Sequence, residues 1–132
     1  MKSRDNLLRL KHFQVQEKTR QLAQIDMMIA DFNRMGEELR LQIEHEEKKS
    51  GITDVNHFAY PTFAKAARTR RENIEASVAD LKDKRSAAEQ SLAEAEEELK
   101  KVEAKEARDS GTARELTETA VDAVIERRMM IG

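Results

Sequence analysis

The side chains best suited to chemistry are three histidines, His12, His45 and His57, and one basic cluster, Lys65, Arg68, Arg70 and Arg71. His45 stands among Glu44, Glu46 and Glu47, donors of the kind that bind divalent cations. On a helix, neighbours at i, i+1 and i+2 point to different sides, so these four groups would not converge on one ion. His12 and His57 are isolated. The chain has no cysteine, which excludes thiolate metal sites, thiol nucleophiles and disulfides. The phosphate loop G-x-x-x-x-G-K-[ST], the nucleophile elbow G-x-S-x-G and the zinc motif H-E-x-x-H are all missing. The expectation is a protein with no catalytic residues, no cofactor and no metal.

The basic cluster has two readings. Lys65, Arg68 and Arg71 share one helical face, which is either an ordinary solvated face or a patch for an acidic partner or a membrane surface. Nucleic acid is not expected as a partner. The formal net charge is −2, and no aromatics interleave the cations.

The elements that would carry these residues are two long helices. Charged residues make up 38% of the 132 positions and aromatics 4%, with one proline, which favours a thin coiled-coil seam over a thick globular core. No apolar run approaches the roughly 20 residues of a membrane span. The opening residues, Met1 to Asp5, lack the apolar stretch of a secretory signal. A soluble, intracellular protein is expected.

In the first helix, residues 6–49, the positions Leu22, Ile25, Ile29, Phe32, Gly36, Leu39 and Ile43 alternate at spacings of 3 and 4, the heptad seam of a coiled coil. The same register runs back through Lys18, Val15, Lys11 and Leu8. Leu7, Leu10, Met28 and Met35 widen its flank. In the second helix, residues 62–108, the seam reads Ile74, Val78, Leu81, Arg85, Ala88, Leu92, Ala95, Leu99 and Val102. Thr62 is the expected N-cap, and Glu96–Lys100 and Glu97–Lys101 are expected surface pairs.

Residues 50–61 form the break. Gly51 can end a helix in the left-handed conformation, and Pro61 cannot continue one. Asp54 can cap a single turn between them. Val55, Phe58, Tyr60 and Phe63 are expected to gather into a small apolar cluster. Two long helices joined by a short elbow fold back as an antiparallel hairpin. Matching the seams pairs Gly36 with Ile74, Phe32 with Val78, Ile29 with Leu81, Val15 with Ala95 and Leu8 with Val102. The fold class is therefore all-α, a single coiled-coil hairpin with the longer helix second.

The first helix then runs out opposite Val102. Residues 109–130 form an amphipathic extension, unpaired within the chain, with Leu116, Val121, Val124, Ile125, Met129 and Met130 on its apolar positions. Such a helix is marginal alone in water. It is either frayed or reserved for a partner. Two hairpins could also bundle, so self-association is open.

Beyond periodicity, specific stretches resemble a known family. They are Met1 to Lys11, Gln24-Ile25-Asp26-Met27-Met28-Ile29-Ala30-Asp31-Phe32, Ser50-Gly51-Ile52 and, above all, His57-Phe58-Ala59-Tyr60-Pro61-Thr62-Phe63-Ala64-Lys65-Ala66-Ala67-Arg68. Together they resemble FliJ, the flagellar export protein, in its alphaproteobacterial form. The resemblance covers roughly residues 1–105 and is most specific at 57–68, where heptads do not explain the residues. It implies a stalk-like component of flagellar type III export without catalytic activity, cytoplasmic and peripheral at the inner face of the cell membrane. The implied partners are the hexameric export ATPase, the cytoplasmic part of the membrane export gate and export chaperones. On this reading Arg4, Arg9, Lys11, Arg127 and Arg128 offer positive charge to the ATPase, joined by Leu116, Val121, Val124 and Ile125. Phe63, Ala67, Arg70 and Ile74, at 4, 3, 4 spacing, are the stripe for the gate, or else pack on Leu39 and Ile43. A virulence-type secretion stalk and a cytoplasmic coiled-coil adaptor that dimerises through its C-terminal stripe are the alternatives.

Overall fold

The computed structural model of the chain describes residues 2–131, and the side chains of these apart from 2, 4, 112–119, 123, 130 and 131. Two helices account for nearly all of it: α1, Lys2–Ser50, and α2, Thr62–Ile131. Among the described residues there is no strand. The fold is all-α, with two long helices packed against each other and the longer one second. α1 starts earlier than residue 6. α2 passes through Ser110 and Gly111 without a break, so the expected segments 62–108 and 109–130 are one helix.

The contacts divide the chain into two compact units, Met1–Glu17 with Leu92–Gly132, and Lys18–Ser91. In each unit a stretch of α1 pairs antiparallel with a stretch of α2.

In the second unit the apolar spacing becomes burial. Ile43, Val78 and Leu81 are buried, and Leu22, Ile25, Ile29, Phe32, Gly36, Leu39 and Ile74 are half-buried between polar, exposed neighbours. A Cβ on Gly36 would meet Ile74 Cγ2 at 3.7 Å, so the expected large-against-small match is present. Phe32, Gly36, Ile74 and Val78 line one surface depression, which fits the expected register. The charged residue of the α2 seam, Arg85, is half-buried and ion-paired across to Asp26 of α1 and along α2 to Glu89. The closest packing uses alanine: Ala64 is wholly buried and Ala67 nearly so.

The first unit repeats the pattern with less apolar surface. Ala95 is buried, while Leu8, Val15, Leu92, Leu99 and Val102 are half-buried. Lys11 Nζ donates to Glu98 Oε2 at 2.7 Å, joining α1 to α2. The expected Glu97–Lys101 pair is formed at 3.6 Å. The flanking Leu7, Leu10 and Phe13 are exposed.

The elbow, residues 51–61, is built from backbone geometry. Gly51 N donates to Glu47 O at 2.8 Å with φ of +76°, which closes α1. Asp54 caps as expected, its Oδ1 accepting from Asn56 N at 3.0 Å. The chain then makes two successive turns rather than one helical turn: His57 N donates to Asp54 O at 3.1 Å and Tyr60 N to His57 O at 3.0 Å. α2 starts at Thr62 as expected, and only the cap residue differs. The Pro61 carbonyl accepts from Lys65 N at 3.0 Å, so Pro61 occupies the cap and Thr62 is the first helical residue. The expected apolar cluster does not form. Tyr60 is buried, but Phe63 is exposed and Phe58 is 97% exposed. Val55 is half-buried, and the one buried position of the bend goes to a tyrosine with a polar handle.

Candidate interaction surfaces

Two surfaces carry the residues singled out by the sequence, one in each unit. In the second unit the elbow is fastened by three side chains that meet at one carboxylate oxygen. Tyr60 Oη donates to Glu47 Oε1 at 2.8 Å. Arg68 Nη2 donates to the same oxygen at 2.6 Å, and Arg68 Nε donates to Tyr60 Oη at 2.8 Å. The Arg68 guanidinium also lies 5.9 Å from the centre of the Tyr60 ring, within cation–π range. Hydrogen bonds from Arg68 and then Tyr60 hold the Glu47 carboxyl below the usual glutamate range. The bond to Glu47 raises Arg68 above its already high value. Sequence reasoning missed this triad. Glu47 reads as one more charge among Glu44, Glu46 and Lys48, and its partners lie 13 and 21 residues away.

The basic cluster is accordingly split. Arg68 faces inward to Glu47, and Arg71 lies 3.7 Å from Glu75. Lys65 and Arg70 remain exposed, with no ion pair among the described residues. The stripe Phe63, Ala67, Arg70 and Ile74 is not one exposed face either. Phe63 and Arg70 are exposed, whereas Ala67 is buried at 3% and Ile74 packs on Gly36. Helical spacing places these residues on related sides of α2, but the seam takes the small and β-branched members. Arg70 and Ile74 do share a shallow groove with Met35, Leu39 and Asn73.

In the first unit, Val121, Val124, Ile125 and Met129 of α2 are all exposed, with Arg127 and Arg128 beside them. Leu7 of α1 and Val102, Lys105, Glu106 and Asp109 of α2 line one depression, and α2 continues from there to Ile131. Of the other expected contact residues, Arg9 is exposed. Lys11 is not a free charge, because Glu98 holds it. A seam lysine can lay its stem against apolar neighbours while its charged head reaches the rim, where Glu98 meets that of Lys11. The side chains of Arg4 and Leu116 lie outside the described ones.

His45 is exposed, and among the described residues no group of three or more histidines and carboxylates is placed to share a metal. Among the described residues, no helix is long and apolar enough to cross a membrane. No family model matches the chain, and no curated protein or solved structure matches it.

Proposed function

We propose that this chain is a non-enzymatic coiled-coil stalk and coupling protein of flagellar type III export, as its resemblance to FliJ implies. It engages the hexameric export ATPase, the membrane export gate and export chaperones, from the cytoplasm and at the inner face of the cell membrane. One observation supports this reading above others: α2 continues as a single helix past the depression that Leu7 of α1 shares with Val102 to Asp109, and presents Val121, Val124, Ile125 and Met129 to solvent beside Arg127 and Arg128. A helix with an uncovered apolar face and flanking cations suits many weak contacts inside a ring of acidic loops. For the gate, Phe63 and Arg70 are the two accessible residues of the expected stripe, and Ala67 and Ile74 act by shaping the seam beneath them.

Co-sedimentation with the flagellar export ATPase, following ATP hydrolysis, tests the reading. Binding that changes hydrolysis and is lost in a Val121→Glu, Ile125→Glu double variant supports it. Binding that survives the double variant keeps the ATPase as partner and removes the extension from the contact. With no binding, the reading falls. The same exposed face also suits a coiled-coil adaptor that dimerises through residues 109–132, and concentration-dependent helicity without affinity for the ATPase would favour that alternative.

A further inference from the structure

The elbow of the second unit presents a side chain that helix packing does not use. Phe58 is 97% exposed in a chain holding four phenylalanines and one tyrosine. The ring is not on a loose excursion. His57 stacks on it with ring centres 4.7 Å apart, and Ala59 N donates to His57 Nδ1 at 3.0 Å. The turn hydrogen bonds on Asp54 and His57 fix the backbone on one side, and buried Tyr60, bound to Glu47 and Arg68, anchors it on the other. A second ring, Phe63, is exposed in the first turn of α2.

The sequence around these rings is mostly cationic. From Lys48 to Arg71 the chain has six cations and a single acid, Asp54. The first turn of α2 contains no acidic residue, although the positive end of a helix favours one; it contains Lys65. Lys48 is paired with Glu44, Arg68 with Glu47 and Arg71 with Glu75. Lys49, Lys65 and Arg70 have no ion pair among the described residues.

We infer that the elbow is an interfacial wedge for an anionic lipid membrane, with Phe58 entering the headgroup–acyl boundary and Lys49 and Lys65 facing the anionic headgroups. A protein partner would need a preformed pocket for one projecting ring, rimmed with acids. A fluid interface needs neither. It takes the ring by apolar transfer and the cations through its surface potential. The two signals together give reversible but useful binding where either alone is marginal. This inference does not rest on the export reading.

The test is co-sedimentation of the full chain with vesicles of phosphatidylcholine and phosphatidylglycerol in equal parts, against phosphatidylcholine alone, at low and high salt. The expected result is binding to the anionic vesicles that weakens with salt. Phe58→Ala lowers partitioning by roughly tenfold, and Lys49→Gln with Lys65→Gln lowers it by about tenfold or more. Phe13→Ala, which removes an exposed ring from the other unit, leaves it unchanged. Circular dichroism checks that each variant keeps its helicity, as expected for side chains that bury nothing. The inference is overturned by a chain that ignores anionic vesicles, or by binding that Phe58→Ala does not weaken. It is equally overturned if Phe58 instead proves to seat in an acidic protein.

Discussion

Arg68 of α2 lies 2.6 Å from Glu47 of α1, and the hydroxyl of Tyr60 joins both. The pair spans the elbow and ties the first turns of α2 to the last turns of α1. Arg68→Ala is expected to destabilise the fold by about 1 kcal/mol. The charge-assisted bonds are strong for their class, but the guanidinium is 39% exposed and solvent screens part of the gain. Tyr60→Phe removes the bridging hydroxyl and should cost a similar amount, roughly 1 kcal/mol. Urea unfolding monitored by helicity checks both.

The same triad sets a pH dependence. Glu47 titrates below the usual glutamate range in the folded chain. Its stabilisation is therefore complete above that range and is lost as pH falls through the depressed value. Arg68 is raised above an already high value and stays charged throughout, so it contributes no change on the acid side. The melting temperature of Glu47→Gln should fall below that of the parent at neutral pH, and the gap should close under acid conditions. A gap independent of pH would assign Glu47 a purely steric role.

Gly36 faces Ile74 with space for one methyl group, since a Cβ there would sit 3.7 Å from Ile74 Cγ2. Gly36→Ala should fill the space in ordinary contact and gain helix propensity, raising stability by roughly 0.5–1 kcal/mol. A lower urea midpoint would show that the helices must approach more closely than this geometry indicates.

Gly51 should behave in the opposite way. It has φ of +76°, and a Cβ added there would meet nothing within 4 Å, so the cost of a side chain is conformational rather than steric. Gly51→Ala is expected to lose about 1 kcal/mol, and Gly51→Asn less, because asparagine tolerates the left-handed region. Thermal melts of the two variants give the order directly.

Arg85 is the charged residue of the second seam and is held by Asp26 and Glu89. Replacing a paired seam charge by an apolar residue of similar reach is often neutral or stabilising, whereas removing one partner is not. Arg85→Leu should leave the melting temperature unchanged or higher, and Asp26→Ala should lower it. A fall with Arg85→Leu would mean that the ion pair contributes more than apolar contact can replace.

Both seams and their register could be read from residue order alone. Apolar spacing of 3 and 4 is a local property, and a helix converts it into a face whatever the rest of the chain does. Gly36 marked where a large partner was needed, and Ile74 is there. Chain order also placed the helix ends at Gly51 and Pro61, because each acts through its own backbone. The uncovered face of Val121, Val124, Ile125 and Met129 follows from the same periodicity. Tertiary structure decided matters that depend on segments distant in sequence: that Tyr60 turns inward while Phe58 and Phe63 stay out, that Glu47 collects Arg68, that Glu98 holds Lys11, and that Ala67 and Ile74 serve the seam rather than the surface. The physical reason is that burial by periodicity is set within one helix, whereas the partner of a polar group and the inward residue of an irregular turn are set by which backbones meet and how closely.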